Sequence, residues 1–484
     1  MVYKSITMNN QQSLGEPLPN TKHAVSVSLP TWADVIGYEE GNPRVINAMK
    51  TGYPRFVYNE ITKKLFKEAE KKFAEADEFC LVFPSERVAK LCVKFCHKQQ
   101  PETHNQLSIN KFSDGIWAVT FHNSLQKLAK SFWQHAGFIV SSRQAEAVLE
   151  HQKTNNGAAE KQNIQEHLST LTGEKAENIY LYPSGMAAIF SAFEINSTGP
   201  TIQLGFPYVD TLKIQEKFGH ETIFISDVAN LAELEKTIKA KKISAVFTEF
   251  PTNPLLTAVD LEKLSTICRA NKIALVIDDT LSTWANVDLT PFADIIVSSL
   301  TKFFSGIGDV LAGSLILNSK SPLFAELKTK LDAQYEDLLF GPDAIVLEKN
   351  SRDFATRIAK VNENAENLYD WLKAQNSKLK AQIYYTKGNP VYEKYKRNGY
   401  GGIISLVLPT PEQAQKFFDA LDVKKGPSLG TNYTLACPYT MLAHYTEREF
   451  ASKANVPFHL IRISVGLEDI EELKTKFEKA FGGI

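Results

Sequence analysis

The sequence predicts an α/β protein centred on a mostly parallel sheet of seven strands, with a smaller α+β domain after it and a separate extension before it. Two observations carry this reading. Seven short runs rich in Ile, Val, Leu and Phe follow one another between residues 178 and 318: NIYLYP, TIQLGF, ETIFISD, ISAVFTEF, IALVIDD, DIIVSSL and GSLILN. Helix-like stretches separate several of them, among them MAAIFSAFEI, VDTLKIQEKFG, LAELEKTIKAKK and DLEKLSTICRANK. Such alternation implies crossover helices on both faces of the sheet.

The flanking segments read differently. Residues 1 to about 25 are polar, rich in Asn, Gln and Pro, and are expected to be mobile. NEITKKLFKEAEKKFAEA has apolar positions recurring at three and four residues, the helical period. EFCLVFPSERVAKLCVKFC reads as a strand, a turn at Pro84 and Ser85, then a helix. HQKTNNGAAEKQNIQEHLSTLTG is helical with one polar face. Beyond the seven strands, FAELKTKLDAQYEDLL and the stretch from Ser351 to about Ala374 read as long helices. GIISLVLP, a helix from Pro411, HLIRISVGL and a helix from Ile470 complete the α+β domain. The expected division is an extension over residues 1–130, a large domain over 131–325 and a C-terminal domain over 326–484.

Composition narrows the function class. With 484 residues, more than one domain is expected. The 54 basic and 55 acidic residues leave a formal charge of −1, which gives no bulk attraction to nucleic acid or a membrane surface. No apolar run approaches the roughly 18 residues that span a bilayer, and the N-terminus has no apolar core of a secretory signal. The five cysteines, Cys80, Cys92, Cys96, Cys268 and Cys437, show no disulfide-like pattern, so a cytoplasmic location is expected.

Three segments carry chemistry. In LYPSGMAAIFSAF a strand ends, Ser184 and Gly185 turn, and a helix begins near Met186. A helix start offers free N–H groups to an anion, and glycine lets a phosphate approach; alone, such a turn is common in α/β loops. In IALVIDDT, Asp278 ends an apolar strand, where open α/β sheets place ligand-binding groups. In DIIVSSLTKFFSG, the strand delivers Ser299, Thr301 and Lys302: two hydroxyls for a phosphate and an amine for a carbonyl cofactor. Together these are the parts of a site for pyridoxal 5'-phosphate (PLP).

The resemblance then becomes specific. EFPTNPLL, VIDDTLSTW, SSLTKFFSGIGDVLAGSL and LIRISVGLED resemble the signature blocks of the Cys/Met-metabolism PLP-dependent family, over roughly residues 135–484. That family includes cystathionine γ-synthase, cystathionine lyases and homoserine sulfhydrylases, and SLGTNYTLACPYTMLAHY is similar to its fungal branch, which carries a long N-terminal extension. The resemblance implies the fold-type I (aspartate-aminotransferase-like) architecture and a homodimer or homotetramer with shared active sites. It implies PLP on Lys302 as a Schiff base, Asp278 at the pyridine nitrogen, and Gly185, Met186, Ser299 and Thr301 at the phosphate. Tyr208 would stack on the ring, Asn253 would lie beside cofactor and substrate, and Arg462 with Ser428 would take the substrate carboxylate. Arg143 would reach a neighbouring subunit's phosphate.

The implied reaction is γ-replacement on an O-acylated homoserine with cysteine to give cystathionine. A sulfhydrylase, a cystathionine lyase and a non-catalytic PLP-fold binding protein are the alternatives. Departures from the family pattern are Ser141-Ser142-Arg143 for the usual Tyr-Ser-Arg, Val209-Asp210-Thr211 for Gly-Gly-Thr, Tyr433 for a common glutamate, and Ile307 for a common histidine. No metal site is expected: Cys92 and Cys96 share a helix face with apolar neighbours and read as core. GYP in KTGYPRF reads as a turn rather than a route for Arg55 into a site, and YEKYKRNGY reads as a solvated loop.

Overall fold

The computed structural model describes residues 13–103 and 107–483. The polar stretch expected to be mobile is therefore described only from Ser13, and its residues 1–12 lie outside the described residues. From Ser13 on it is packed, because β1 (Pro17–Leu18) pairs antiparallel with β2 (Ser26–Val27) and the Leu18, Ala24 and Val25 side chains are buried. The Val25 N–H donates to Gly308 O (2.9 Å) and the Leu29 N–H to Lys425 O (3.0 Å), so this segment lies between two distant loops.

The helix Trp32–Glu39 follows, opened by a capping box in which Thr31 and Asp34 satisfy each other's backbone N–H. Trp32 packs edge-on to Phe418 at 6.0 Å, which fastens the extension to the C-terminal domain. The helix Glu60–Phe73 then packs on β3 (Glu78–Phe83), the expected strand before Ser85, whose hydroxyl caps the helix Glu86–Gln99. The unforeseen hairpin of β4 (Leu107–Ser113) and β5 (Ile116–His122) completes an antiparallel sheet in the order β3-β5-β4. The sequence hid β4 because LSINKFS is largely polar and none of its residues is fully buried.

The central sheet uses the seven expected runs: β6 (Ile179–Tyr182), β7 (Thr201–Leu204), β8 (Thr222–Ile225), β9 (Ala245–Glu249), β10 (Ala274–Asp278), β11 (Ile295–Ser298) and β12 (Gly313–Leu317). Their order is β6-β12-β11-β10-β9-β7-β8. Only β12 runs antiparallel to its neighbours. Both faces are covered, one by the helix Gly185–Asn196 and the extension's core, the other by Leu261–Ala270 and the start of Phe354–Leu379.

The C-terminal sheet has the order β13-β14-β17-β16-β15, with β13 (Gln382–Tyr384), β14 (Ile403–Val407), β15 (Lys424–Lys425), β16 (Leu435–Pro438) and β17 (Ile461–Ser464). Two expectations change here. The helix expected over 324–339 stops at Asp332, where Tyr335 turns back and its hydroxyl donates to Leu181 O (3.1 Å). YEKYKRNGY is packed rather than solvated: Tyr392 is fully buried against Phe250, ring centroids 5.6 Å apart. Its cations are matched, with Lys394 to Glu262 (2.7 Å) and Arg397 to Asp288. Cys92 and Cys96 lie in the core, and all five cysteines are free and buried. Among the described residues no helix is long and apolar enough to cross a membrane.

Removing the indole that anchors the extension should be costly. Trp32→Ala is expected to destabilise the protein by about 3–5 kcal/mol, read from the midpoint of urea unfolding. A change below about 1 kcal/mol would show that the extension is not coupled to the C-terminal domain through this contact.

Candidate active site

The carboxyl ends of β9, β10 and β11 converge on a cavity of about 590 Å³. Parallel pairing sets Glu249 beside Asp278 in register, and Ser299 follows directly on β11. Gly185, at the N-terminus of its helix, comes so close to this strand end that a Cβ on it would lie 2.8 Å from Ser299 Cβ. Ser184 caps that helix by accepting from Ala187 N–H (3.1 Å). The unpaired N–H groups of the first helical turn thus face the cavity wall formed by Gly185, Met186 and Ser299.

Lys302 lies fully within this cavity. Burial, then the Arg462 and Arg55 charges, push its amine well below the usual lysine range. Its Nζ donates to Ser428 Oγ (2.7 Å) and lies 4.4 Å from the centre of the Tyr53 ring. Ser428 sits at φ +94°, a strained conformation for a residue with a side chain. That bend turns Ser428 O to accept from Arg462 Nη2 (2.8 Å) while its hydroxyl meets the lysine. Gly430 (φ +72°) allows the loop to close on the lysine backbone, since a Cβ there would lie 2.5 Å from Phe303 N.

Arg462, projecting from β17, is held by Asn253 Oδ1 (3.2 Å) and stacks on Tyr439 at 4.5 Å. Asn253 donates in turn to the Tyr439 hydroxyl (2.8 Å). Burial raises the Asp278 carboxyl, against hydrogen bonds from Thr280. Burial and then the charge of Asp278 push Glu249 up further, although it accepts from Tyr208 N–H. Two adjacent buried carboxyls without a cation between them are poised for a positively charged ring nitrogen.

Several expectations are redistributed by the geometry. Gly185, Met186, Tyr208, Asn253, Asp278, Ser299, Lys302, Ser428 and Arg462 share the one cavity. Ser184 and Thr301 do not line it; the Thr301 hydroxyl is engaged with the Ala312 backbone instead. Arg143 lies elsewhere, bound to Asp309 O (2.7 Å) and Asp343 (3.0 Å). Among the described residues no cluster of His, Cys, Asp or Glu is arranged for a metal.

Arg55 is the cation that the sequence reading passed over: the expected turn is present, with the Phe56 N–H donating to Tyr53 O (2.8 Å), but it also carries Arg55 into the site. Arg55 enters the cavity, ion-pairs with Asp210, and donates to the Tyr208 hydroxyl (2.6 Å) and to Gln134 O (3.0 Å). Burial would raise the Asp210 carboxyl, yet Arg55 and His135 (2.9 Å) hold it at about 2. The signal was present: the Tyr-x-Arg spacing missing at Ser141-Ser142-Arg143 occurs as Tyr53-Pro54-Arg55. The groups present fit PLP: a lysine whose amine is lowered well below its usual range, two adjacent strand-end carboxyls, and a helix start beside a strand-end serine.

Comparison with known proteins agrees with this chemistry. Residues 123–482 match the family model described as Cys/Met metabolism PLP-dependent enzyme, and residues 61–141 match the fungal trans-sulfuration enzyme N-terminal domain. The chain is 33% identical to cystathionine gamma-synthase of Saccharomyces cerevisiae, over 97% of this chain and 98% of that one. It is 34% identical to cystathionine gamma-synthase of Neurospora crassa, over 96% and 97%. Among solved structures it is similar to cystathionine gamma-lyase from Lactobacillus plantarum complexed with L-serine, with a TM-score of 0.60 and 25% identity over 69% of this chain and 91% of that one.

The Arg55–Asp210 side chains are each only 1% exposed, so neither charge can be satisfied by water if the other is removed. Asp210→Ala is expected to cost about 3–5 kcal/mol of stability, measured by denaturant unfolding. A cost under about 1 kcal/mol would mean that Arg55 escapes to solvent when its partner is lost.

Proposed function

We propose that this chain, which belongs to the Cys/Met metabolism PLP-dependent enzyme family, makes cystathionine from an O-acylated homoserine and cysteine with release of the acyl acid. Near full-length similarity to fungal synthases supports the choice of reaction. The observation that carries the chemistry is Lys302, its amine lowered well below the usual lysine range by burial, lying in one cavity with Asp278 and Arg462.

In this reading Lys302 holds the cofactor, Asp278 keeps the pyridine nitrogen protonated, and Gly185, Met186 and Ser299 receive the phosphate. Arg55, which lines the cavity, replaces Arg143, which does not, as the cation for that phosphate. When bound, PLP supplies an electron sink for charge developing at the substrate Cα. Arg462, fixed by Asn253 and Ser428, takes the substrate α-carboxylate in its planar fork. The Lys302 amine then removes the Cα proton and moves protons at Cβ, a base made competent by burial. Burial keeps the Tyr208 phenol protonated, and Arg55 fixes its hydroxyl. The Cγ–O bond breaks with departure of the carboxylate, the cysteine sulfur gives up its thiol proton as it forms the new bond at Cγ, and protons are returned to Cβ and Cα.

A cytoplasmic homo-oligomer belongs to the proposal, supported by five free, buried thiols that suit a reducing compartment.

The purified protein should show the visible absorbance of lysine-bound PLP, and Lys302→Ala should lose it. Supplied with O-acetyl- or O-succinyl-homoserine, the wild type should form cystathionine from cysteine faster than homocysteine from sulfide. Preference for sulfide would replace the synthase by a sulfhydrylase. Absence of the absorbance after addition of PLP would favour the non-catalytic reading.

A further inference from the structure

The extension furnishes part of the cavity wall, with Tyr38, Glu39, Ile46, Met49, Phe56 and Lys63 among the lining. Glu39 stands out there. It is the last residue of the helix Trp32–Glu39, whose final turn has no basic residue. A carboxylate at that end opposes the helix dipole and is disfavoured. It is half-buried, and no hydrogen bond or ion pair involving its side chain is found among the described residues. Burial alone lifts its pKa to about 8.

The cavity's own cations are engaged elsewhere. Arg55 is held by Asp210, Arg462 by Asn253 and Ser428, and Lys302 by Ser428. Lys63 pairs with Glu60 at 2.7 Å on the exposed rim. A partly desolvated carboxylate facing a ligand cavity, at the wrong end of a helix and without a cation, is complementary to a cation brought in by a ligand. Under the proposed function the first amino-acid substrate gives its amino group to the cofactor and its carboxylate to Arg462. The second substrate keeps a free ammonium group, which must be accommodated in the part of the cavity away from Arg462.

We propose that Glu39 is the specificity-determining residue for the second substrate, binding the ammonium group of a thiol-bearing amino acid and so favouring cysteine over thiols without an amino group. This inference rests on the γ-replacement reading and assigns a function to the extension. Lys63, held only by an exposed pair that solvent weakens, lines the same mouth and is the matching group for the carboxylate of that zwitterion.

The test is steady-state kinetics of the holoenzyme with O-acetyl- or O-succinyl-homoserine and either cysteine or 3-mercaptopropionate, which is cysteine without its amino group. Glu39→Gln should raise KM for cysteine by about 10- to 100-fold, the range of a lost charge-assisted hydrogen bond. The KM values for the ester and for 3-mercaptopropionate should move by less than about twofold, and Glu39→Asp should recover part of the cysteine affinity. The absorbance of bound PLP in each variant checks that the site is intact. An unchanged KM for cysteine, or an equal rise for both thiols, overturns the assignment while leaving the γ-replacement reading in place. A wild type that forms no cystathionine overturns that reading, and the role of Glu39 with it.

Discussion

The buried pair of Arg55 and Asp210 is the interaction on which the site depends. It joins a segment near the start of the chain to the helix following β7, and it does so where water is excluded. Each charge is tolerable only because the other is present, so the extension must be seated for Asp210 to be accommodated at all. His135 and the Tyr208 hydroxyl complete the arrangement, fixing the tyrosine that faces the cavity.

Enclosure by the extension has an electrostatic result. Lys302, Asp278 and Glu249 all shift toward their neutral forms, each chiefly because burial penalises charge. The same wall therefore favours the neutral form of the lysine and leaves the strand-end carboxyls receptive to a cationic ring nitrogen. The Arg462 guanidinium meets Asn253 Oδ1, Ser428 O and the Tyr439 ring. The strained backbone of Ser428 is the hinge of this arrangement, since one residue presents its hydroxyl to Lys302 and its carbonyl to Arg462.

What the sequence made legible was local. Seven apolar runs gave the central strands, and Asp278, Ser299 and Lys302 could be placed because each follows directly from a strand end. Three kinds of feature were not legible. The strand Leu107–Ser113 carries too little apolar alternation to be read. Tyr392 looked like part of a basic loop because the ring that buries it, Phe250, is far away in sequence. Arg55 and Arg143 offered rival Arg sites, and only folding reveals that Asp343 claims one and Asp210 the other. Pairing between distant segments decides such cases, and periodicity contains no record of it.

The separation of the cavity's parts along the chain has a consequence for biogenesis. Arg55 and Asp210 are 155 residues apart, Asn253 and Arg462 209 apart, and Ser26 and Pro427 401 apart. On the ribosome, at about 5–20 residues per second, the arginine of β17 emerges many seconds after the extension is complete. Throughout that interval the nascent chain holds an unfinished pocket with apolar walls, a period in which chaperone capture competes with assembly. The cavity is therefore complete only once Arg462 of β17 has been made and has folded back against Asn253.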